Sequence, residues 1–315
     1  MADPVVETGR VNLLMETVAN YCHQCGQMFE LGVDGACPHH PLLQVPLEPL
    51  SQVQPTWGAG AGLLSWVASV GLMLGWQLVA IIVYVGSLMA QHKPMPAQSA
   101  LQGDWLLVLL SLASVFPAHL MTLLICWLIV TARGQRPFWQ SLGWGWHPQF
   151  KWVHAVALTA LMLGVAVLFA KLLPHHETDM ERMLKLGRSV QIVAGLLAAL
   201  SAPVVEEVVY RGVLYGGLAH KWGTPVAVLG VTLLFGLVHV PQYFGSWAVI
   251  STIMCLSLVL TLLRAATGSV LPCVATHFLF NGIQAIQLLL GLDDSVKQQA
   301  TEKALIWWTQ WTALF

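Results

Sequence analysis

The chain has 315 residues, of which 57% are hydrophobic and only 9% charged, with a formal net charge of −1. Charged residues make up about a quarter of an ordinary soluble domain, so this composition belongs to an integral membrane protein. Acids and bases are balanced and form no run of one sign, which argues against nucleic acid or another polyanion as partner.

The first ~55 residues are polar and contain prolines, and they lack the apolar run directly after a basic start that marks a signal peptide. A soluble module is expected there. Within it, YCHQCG supplies Cys22 and Cys25, and ACPHH supplies Cys37 followed by His39 and His40. Two ligand knuckles on tight turns suit a tetrahedral zinc ion, and Cys22, Cys25, Cys37 and His40 complete a Cys3His set. A disulfide or incidental cysteines are the alternatives, and three cysteines are an odd number for pairing. A domain this small has too little core to fold alone, so bound zinc would supply the missing stability. Four protein ligands leave no open position, so the zinc is expected to be structural and the module to dock a partner or substrate rather than catalyse. The domain reading is a zinc-ribbon-like module at 1–45, a Pro-rich linker at 46–60 and a transmembrane domain at 61–315, its motif-bearing core at about 150–291.

Apolar runs able to cross a bilayer, which takes roughly 20 residues per helix, occur near 62–90, 104–132, 151–173, 189–219, 225–244, 246–266 and 269–291. An eighth candidate, ALIWWTQWTALF at 304–315, is short and Trp-rich and reads as an interfacial helix. TDMERMLKLGRS (178–189) reads as another interfacial helix, with Thr178 and Glu181 at capping-box spacing. The fold class is therefore an all-α polytopic transmembrane bundle of seven or eight spans. The lysines and arginines divide seven to seven across the membrane, so the N-terminal cysteines decide orientation. A thiolate zinc site favours a reducing compartment and hence a cytoplasmic N-terminus.

Polar residues inside spans are costly and face a cavity or the bundle interior. Gln77 and His119 stand singly in the first half and read as packing residues, as do Cys126, Cys255 and Cys273. The second half differs. In VVEEVVYRG, Glu207 and Arg211 are four apart and form an ion pair on one helix face, which leaves Glu206 about 100° away and unpaired. Pro203 loosens the helix just before them, and Gly212 and Gly216 let a neighbour approach. His239 closes the next apolar run with Phe235 one turn earlier, and His277 and Asn281 share a face of the last one. Three helices thus present a carboxylate, two imidazoles and a carboxamide. These groups are able to polarise a water and donate hydrogen bonds to an oxyanion. A carboxylate with two imidazoles is also an open metal site, although the H-E-x-x-H helix of soluble metalloproteases is absent.

The order EEVVYR (206–211), FGLVH (235–239), HFLFN (277–281) resembles the CPBP family of intramembrane proteases. That family includes type II CAAX prenyl endopeptidases and bacterial Abi or bacteriocin-processing proteins. The resemblance implies that Glu206 activates the attacking water with His239, that His277 and Asn281 stabilise the oxyanion, and that Glu207 and Arg211 brace the helix. It implies an intramembrane endopeptidase of a bacterial inner or plasma membrane. Its partners would be membrane lipid, a membrane-associated or lipidated protein or peptide as substrate, and a cytoplasmic partner at the N-terminal module. The family is described both as metal-dependent and as glutamate-dependent, so a divalent metal at Glu206, His239 and His277 stays open. A proton-coupled transporter or a non-catalytic immunity or scaffold protein is the alternative function.

Metal analysis of residues 1–57 alone is expected to find about one zinc per chain by the four-ligand rule. A fragment that folds without metal would overturn the zinc site.

Overall fold

The computed structural model describes residues 19–21, 28–30, 55–101, 103–174 and 176–291. The chain divides into two compact units, Met1–Ser51 and Gln52–Phe315. In the first, β1 (Ala19–Tyr21) pairs antiparallel with β2 (Met28–Glu30), with Asn20 opposite Phe29. Cys22, Cys25, Cys37 and His40 lie outside the described residues, as do the linker to residue 54 and the Trp-rich stretch at 304–315.

The described part of the second unit is helical throughout. In chain order it contains α1 (Ala59–Ala90), α2 (Gln98–Leu101), α3 (Trp105–Val130), α4 (Phe138–Leu142), α5 (Trp152–Leu172) and α6 (Asp179–Leu184). These are followed by α7 (Arg188–Trp222), α8 (Thr224–His239), α9 (Trp247–Thr267) and α10 (Leu271–Leu290). Local chemistry sets several of the starts. Asp104 caps α3 by accepting from the amides of Leu106 and Leu107, both at 3.0 Å, and its other oxygen accepts from the Tyr84 hydroxyl at 2.8 Å. The capping box expected of Thr178 and Glu181 forms in both directions, at 3.0 and 3.2 Å, and starts α6. The ammonium of Lys185, at the C-terminal end of α6, hydrogen-bonds Glu177 just before the helix and holds that carboxyl below its usual range.

Among the described residues six helices, α1, α3, α5, α7, α9 and α10, are long and apolar enough to cross a membrane by length and composition. The expectation of seven or eight spans is corrected at 225–244. That run folds as α8, which has 16 residues and is about 24 Å long at 1.5 Å per residue, less than the ~30 Å hydrocarbon core. Pro241 has no N–H to extend the helical ladder, so the helix stops at His239. The early stop leaves His239 at a helix end followed by a turn.

The outward faces of the long helices are apolar, as lipid contact requires: Leu74 is 66% exposed and Ile82 61%. Polar and small residues turn inward instead. α7 packs against α1, α3, α8, α9 and α10, and Val208 through Leu218 on it are almost wholly buried. Its glycines set the closeness of that packing. A Cβ at Gly212 would lie 2.5 Å from Leu142 Cδ1, and one at Gly216 3.2 Å from the Trp57 ring. The tightest backbone approach is at Gly217, where a Cβ would sit 2.7 Å from the Gly58 carbonyl oxygen at the start of α1. The Trp57 indole N–H also donates to the Val213 carbonyl at 2.8 Å.

Gly217→Ala is therefore expected to push α1 away and to destabilise the detergent-solubilised protein by about 1–3 kcal/mol, as overpacking does. Gly75→Ala, at a site with open space around it, should leave the thermal melt unchanged or raise it. Equal melting of the two variants would show that the close approach is not constraining.

Candidate active site

The backbone of α7 departs from α geometry on both sides of the glutamates. π turns span Leu197–Ser201 and Val208–Leu214, with the α-helical segment Ala202–Glu207 between them. Such turns are rare and are found frequently at functional sites. In the first turn the Ala202 amide donates to the Leu197 carbonyl five residues back. Pro203 would be next in that register and has no N–H, so it leaves the Ala198 carbonyl without its ladder donor. The Asn281 side chain takes that place: its Nδ2 donates to Ala198 O at 2.8 Å. In the second turn the Arg211 carbonyl accepts from Arg264 Nε at 2.9 Å.

These turns surround a buried charge cluster. Glu207 Oε1 accepts from Arg211 Nη1 at 2.9 Å and faces His277 Nδ1 at 2.8 Å, and neither Glu207 nor Arg211 has any exposed surface. The guanidinium is satisfied on its other sides. Nη2 donates to the Ser257 carbonyl at 2.9 Å and to the Ser257 hydroxyl at 3.0 Å, and Nε donates to Thr261 Oγ1 at 3.3 Å. The Phe235 ring lies 4.8 Å beneath it. Buried charges persist only when paired and hydrogen-bonded, and Glu207 Oε1 and the guanidinium meet both conditions, while Glu207 Oε2 has no hydrogen-bond partner among the described residues.

The cluster assigns the His277 tautomer. Nδ1–H donates to Glu207, so Nε2 carries the lone pair, which faces Asn281 Nδ2 at 3.3 Å and Glu206 Oε2 at 3.8 Å. Glu206 is 24% exposed and has no hydrogen bond among the described residues. The division expected from the sequence therefore holds in geometry, with Glu207 paired to Arg211 and Glu206 apart from that pair, in contact only with His277 among the described residues. One expectation is extended: Glu207 holds His277 as well as Arg211. The imidazole closest to Glu206 is that of His277. His239 is fixed separately, with Nδ1 donating to the Phe235 carbonyl at 2.8 Å and its ring 4.8 Å from the Phe235 ring, which leaves Nε2 available. Phe235 lies between the two imidazoles, 6.2 Å from the His277 ring, with Tyr210 edge-on at 4.9 Å.

Among the described residues no three His, Cys, Asp or Glu side chains are placed to hold a metal ion. Glu206, His239 and His277 do not form a preassembled three-ligand centre in this conformation. Several site residues are absent from the sequence reading. Ser257, Thr261 and Arg264 form a polar stripe on α9 at spacings of four and three, a signal visible in the sequence. His119 of α3, read as a packing residue, pairs with Ser201 of the first π turn, Nδ1 to Oγ at 3.1 Å. Nothing in the sequence links those two.

Arg211→Met should destabilise the fold by about 3–5 kcal/mol, because it leaves Glu207 buried without its cation. Adding Glu207→Gln should recover part of that loss in thermal denaturation followed by circular dichroism. A single variant that melts like wild type would remove the cluster from its structural role.

Residues 188–283, which include every residue of the three motifs, match the family model described as Type II CAAX prenyl endopeptidase Rce1-like. No curated protein and no solved structure matches the chain. The six apolar helices and this match together describe an integral membrane protein. The match falls on the helices that carry the paired glutamates, His239, His277 and Asn281, and in this part the chain is similar to the type II CAAX prenyl endopeptidases.

Proposed function

We propose that this protein is an intramembrane endopeptidase that hydrolyses a peptide bond in a membrane-associated or lipidated protein or peptide. The observation that carries the reading is the asymmetry of the two glutamates. Glu207 is spent on Arg211 and His277, while Glu206 is partly exposed and, among the described residues, without a hydrogen bond beside an oriented imidazole.

In this reading Glu206 takes a proton from a water as that water attacks the scissile carbonyl carbon, and the Nε2 lone pair of His239 helps to orient the water. The carbonyl oxygen then becomes the oxyanion. His277 in its neutral form presents a lone pair at Nε2, so it donates to that oxygen only as an imidazolium. Glu207 Oε1 keeps its hydrogen bond from Nδ1 in that form as in the neutral one. Protonated Nε2 no longer accepts from Asn281, and the second N–H of that amide is free to turn to the oxyanion while the first stays on Ala198. Collapse of the tetrahedral species breaks the C–N bond, and Glu206 returns its proton to the leaving amine.

The substrate class and the partners rest on the same proposal. A prenylated Cys-a-a-X peptide is the first candidate, because the matched family is described by it. The N-terminal module, with structural zinc on Cys22, Cys25, Cys37 and His40 and facing the cytoplasm, would recruit a partner or substrate. A divalent metal at the active site has no ligand set among the described residues to support it.

The test uses full-length protein in liposomes and a quenched fluorescent peptide ending in farnesylated Cys-a-a-X, with its unprenylated counterpart alongside. Glu206→Gln and His239→Ala are each expected to lower cleavage by about 10²-fold or more, the usual contribution of a general base. Size-exclusion profile and melting should stay at wild type. Full activity in either variant would sink the mechanism, and cleavage of both peptides at equal rates would remove the prenyl group from recognition.

A further inference from the structure

His119 belongs to α3, outside residues 188–283, yet it bonds to the helix that carries the glutamates. It is 9% exposed in a span whose opposite face meets lipid. The Ser201 hydroxyl donates to the Leu197 carbonyl at 3.3 Å, so its oxygen accepts from His119, and the imidazole donates through Nδ1. Ser201 is the last residue of the π turn, five residues before Glu206. Pro203 lies between them and removes a ladder bond there. The turn is thus held from outside at two points, by Asn281 on Ala198 O and by His119 on Ser201 Oγ. Glu206 also lies within electrostatic reach of His119.

Resting on the hydrolysis reading above, we propose that His119 is a positioning residue of that reaction: through Ser201 it sets the helical phase in which Glu206 faces the His277 imidazole. A π turn widened by one residue rotates everything that follows it by tens of degrees relative to an α-helix. Among the described residues Glu206 has no hydrogen bond to correct its direction, only the 3.8 Å contact with His277 Nε2. Its aim is therefore inherited from the turn. The first half of the bundle, which carries no motif residue, would in this way contribute to the geometry of the site.

The experiment measures steady-state cleavage of the farnesylated peptide over a range of concentrations by full-length protein in liposomes, together with hydrogen exchange over 197–206. His119→Leu, which keeps apolar bulk, should lower kcat about 10-fold or more without changing KM, as a displaced catalytic group does. His119→Asn, which keeps a donor near the Nδ1 position, should recover most of the loss. Ser201→Ala should match His119→Leu, and the double variant should be no slower than either single one, since the two act as a unit. Exchange over 197–206 should quicken in His119→Leu and not in His119→Asn. A wild-type kcat in His119→Leu, failure of the Asn rescue, or losses that multiply in the double variant would overturn the proposal. Glu206→Gln separates the two ideas. If it is inactive while His119→Leu is fully active, only the role of His119 falls; if it cleaves normally, or if wild type cleaves neither peptide, the hydrolysis reading falls and takes this role with it.

Discussion

The interaction on which the rest of the site depends is the buried contact of Glu207 Oε1 with both Arg211 and His277. A carboxylate and a guanidinium with no exposed surface are costly in an apolar bundle unless their polar directions are answered, as all but that of Glu207 Oε2 are among the described residues. The answers come from other helices: the Ser257 hydroxyl and carbonyl, Thr261 Oγ1 and the Phe235 face surround the guanidinium. The third partner, His277, extends the cluster towards the reacting groups. The electrostatics that hold α7 in the bundle therefore also fix the ring orientation of His277. Structural and chemical roles are joined at one oxygen atom.

The backbone of α7 follows from the same economy of hydrogen bonds. Two π turns and Pro203 leave carbonyls that an α-helix would have satisfied internally, and in a membrane those groups need partners within the protein. Asn281 answers Ala198, Arg264 answers Arg211 and Trp57 answers Val213. Each donor comes from outside α7. The irregular helix therefore draws α10, α9 and the residues before α1 to fixed positions, and small residues such as Gly217 allow the necessary approach. α8 adds the second imidazole at its last residue, His239.

Much of this was legible in the sequence because helical periodicity is a local rule. The i to i+4 spacing of Glu207 with Arg211 places them on one face whatever the fold, and it likewise separates Glu206 from them. His277 and Asn281 meet for the same reason, and the Thr178 capping box formed as its spacing implied. The apolar runs became helices, although run length overstated α8, because hydropathy continues past His239 while the missing N–H of Pro241 stops the ladder. The stripe of Ser257, Thr261 and Arg264 was also present in the sequence. Its significance depended on knowing that α9 faces Arg211.

What the sequence determined by itself was the class of protein, the helical segments and the residue types available for chemistry, since composition and 3.6-residue periodicity act within a few turns of chain. Tertiary structure alone decided the pairings across helices: Glu207 with His277, Asn281 with the Ala198 carbonyl, His119 with Ser201. These contacts join residues 70, 83 and 82 positions apart. No local rule reaches that far, because which inward faces meet is set by the packing of the whole bundle and by the need to satisfy every polar group inside it.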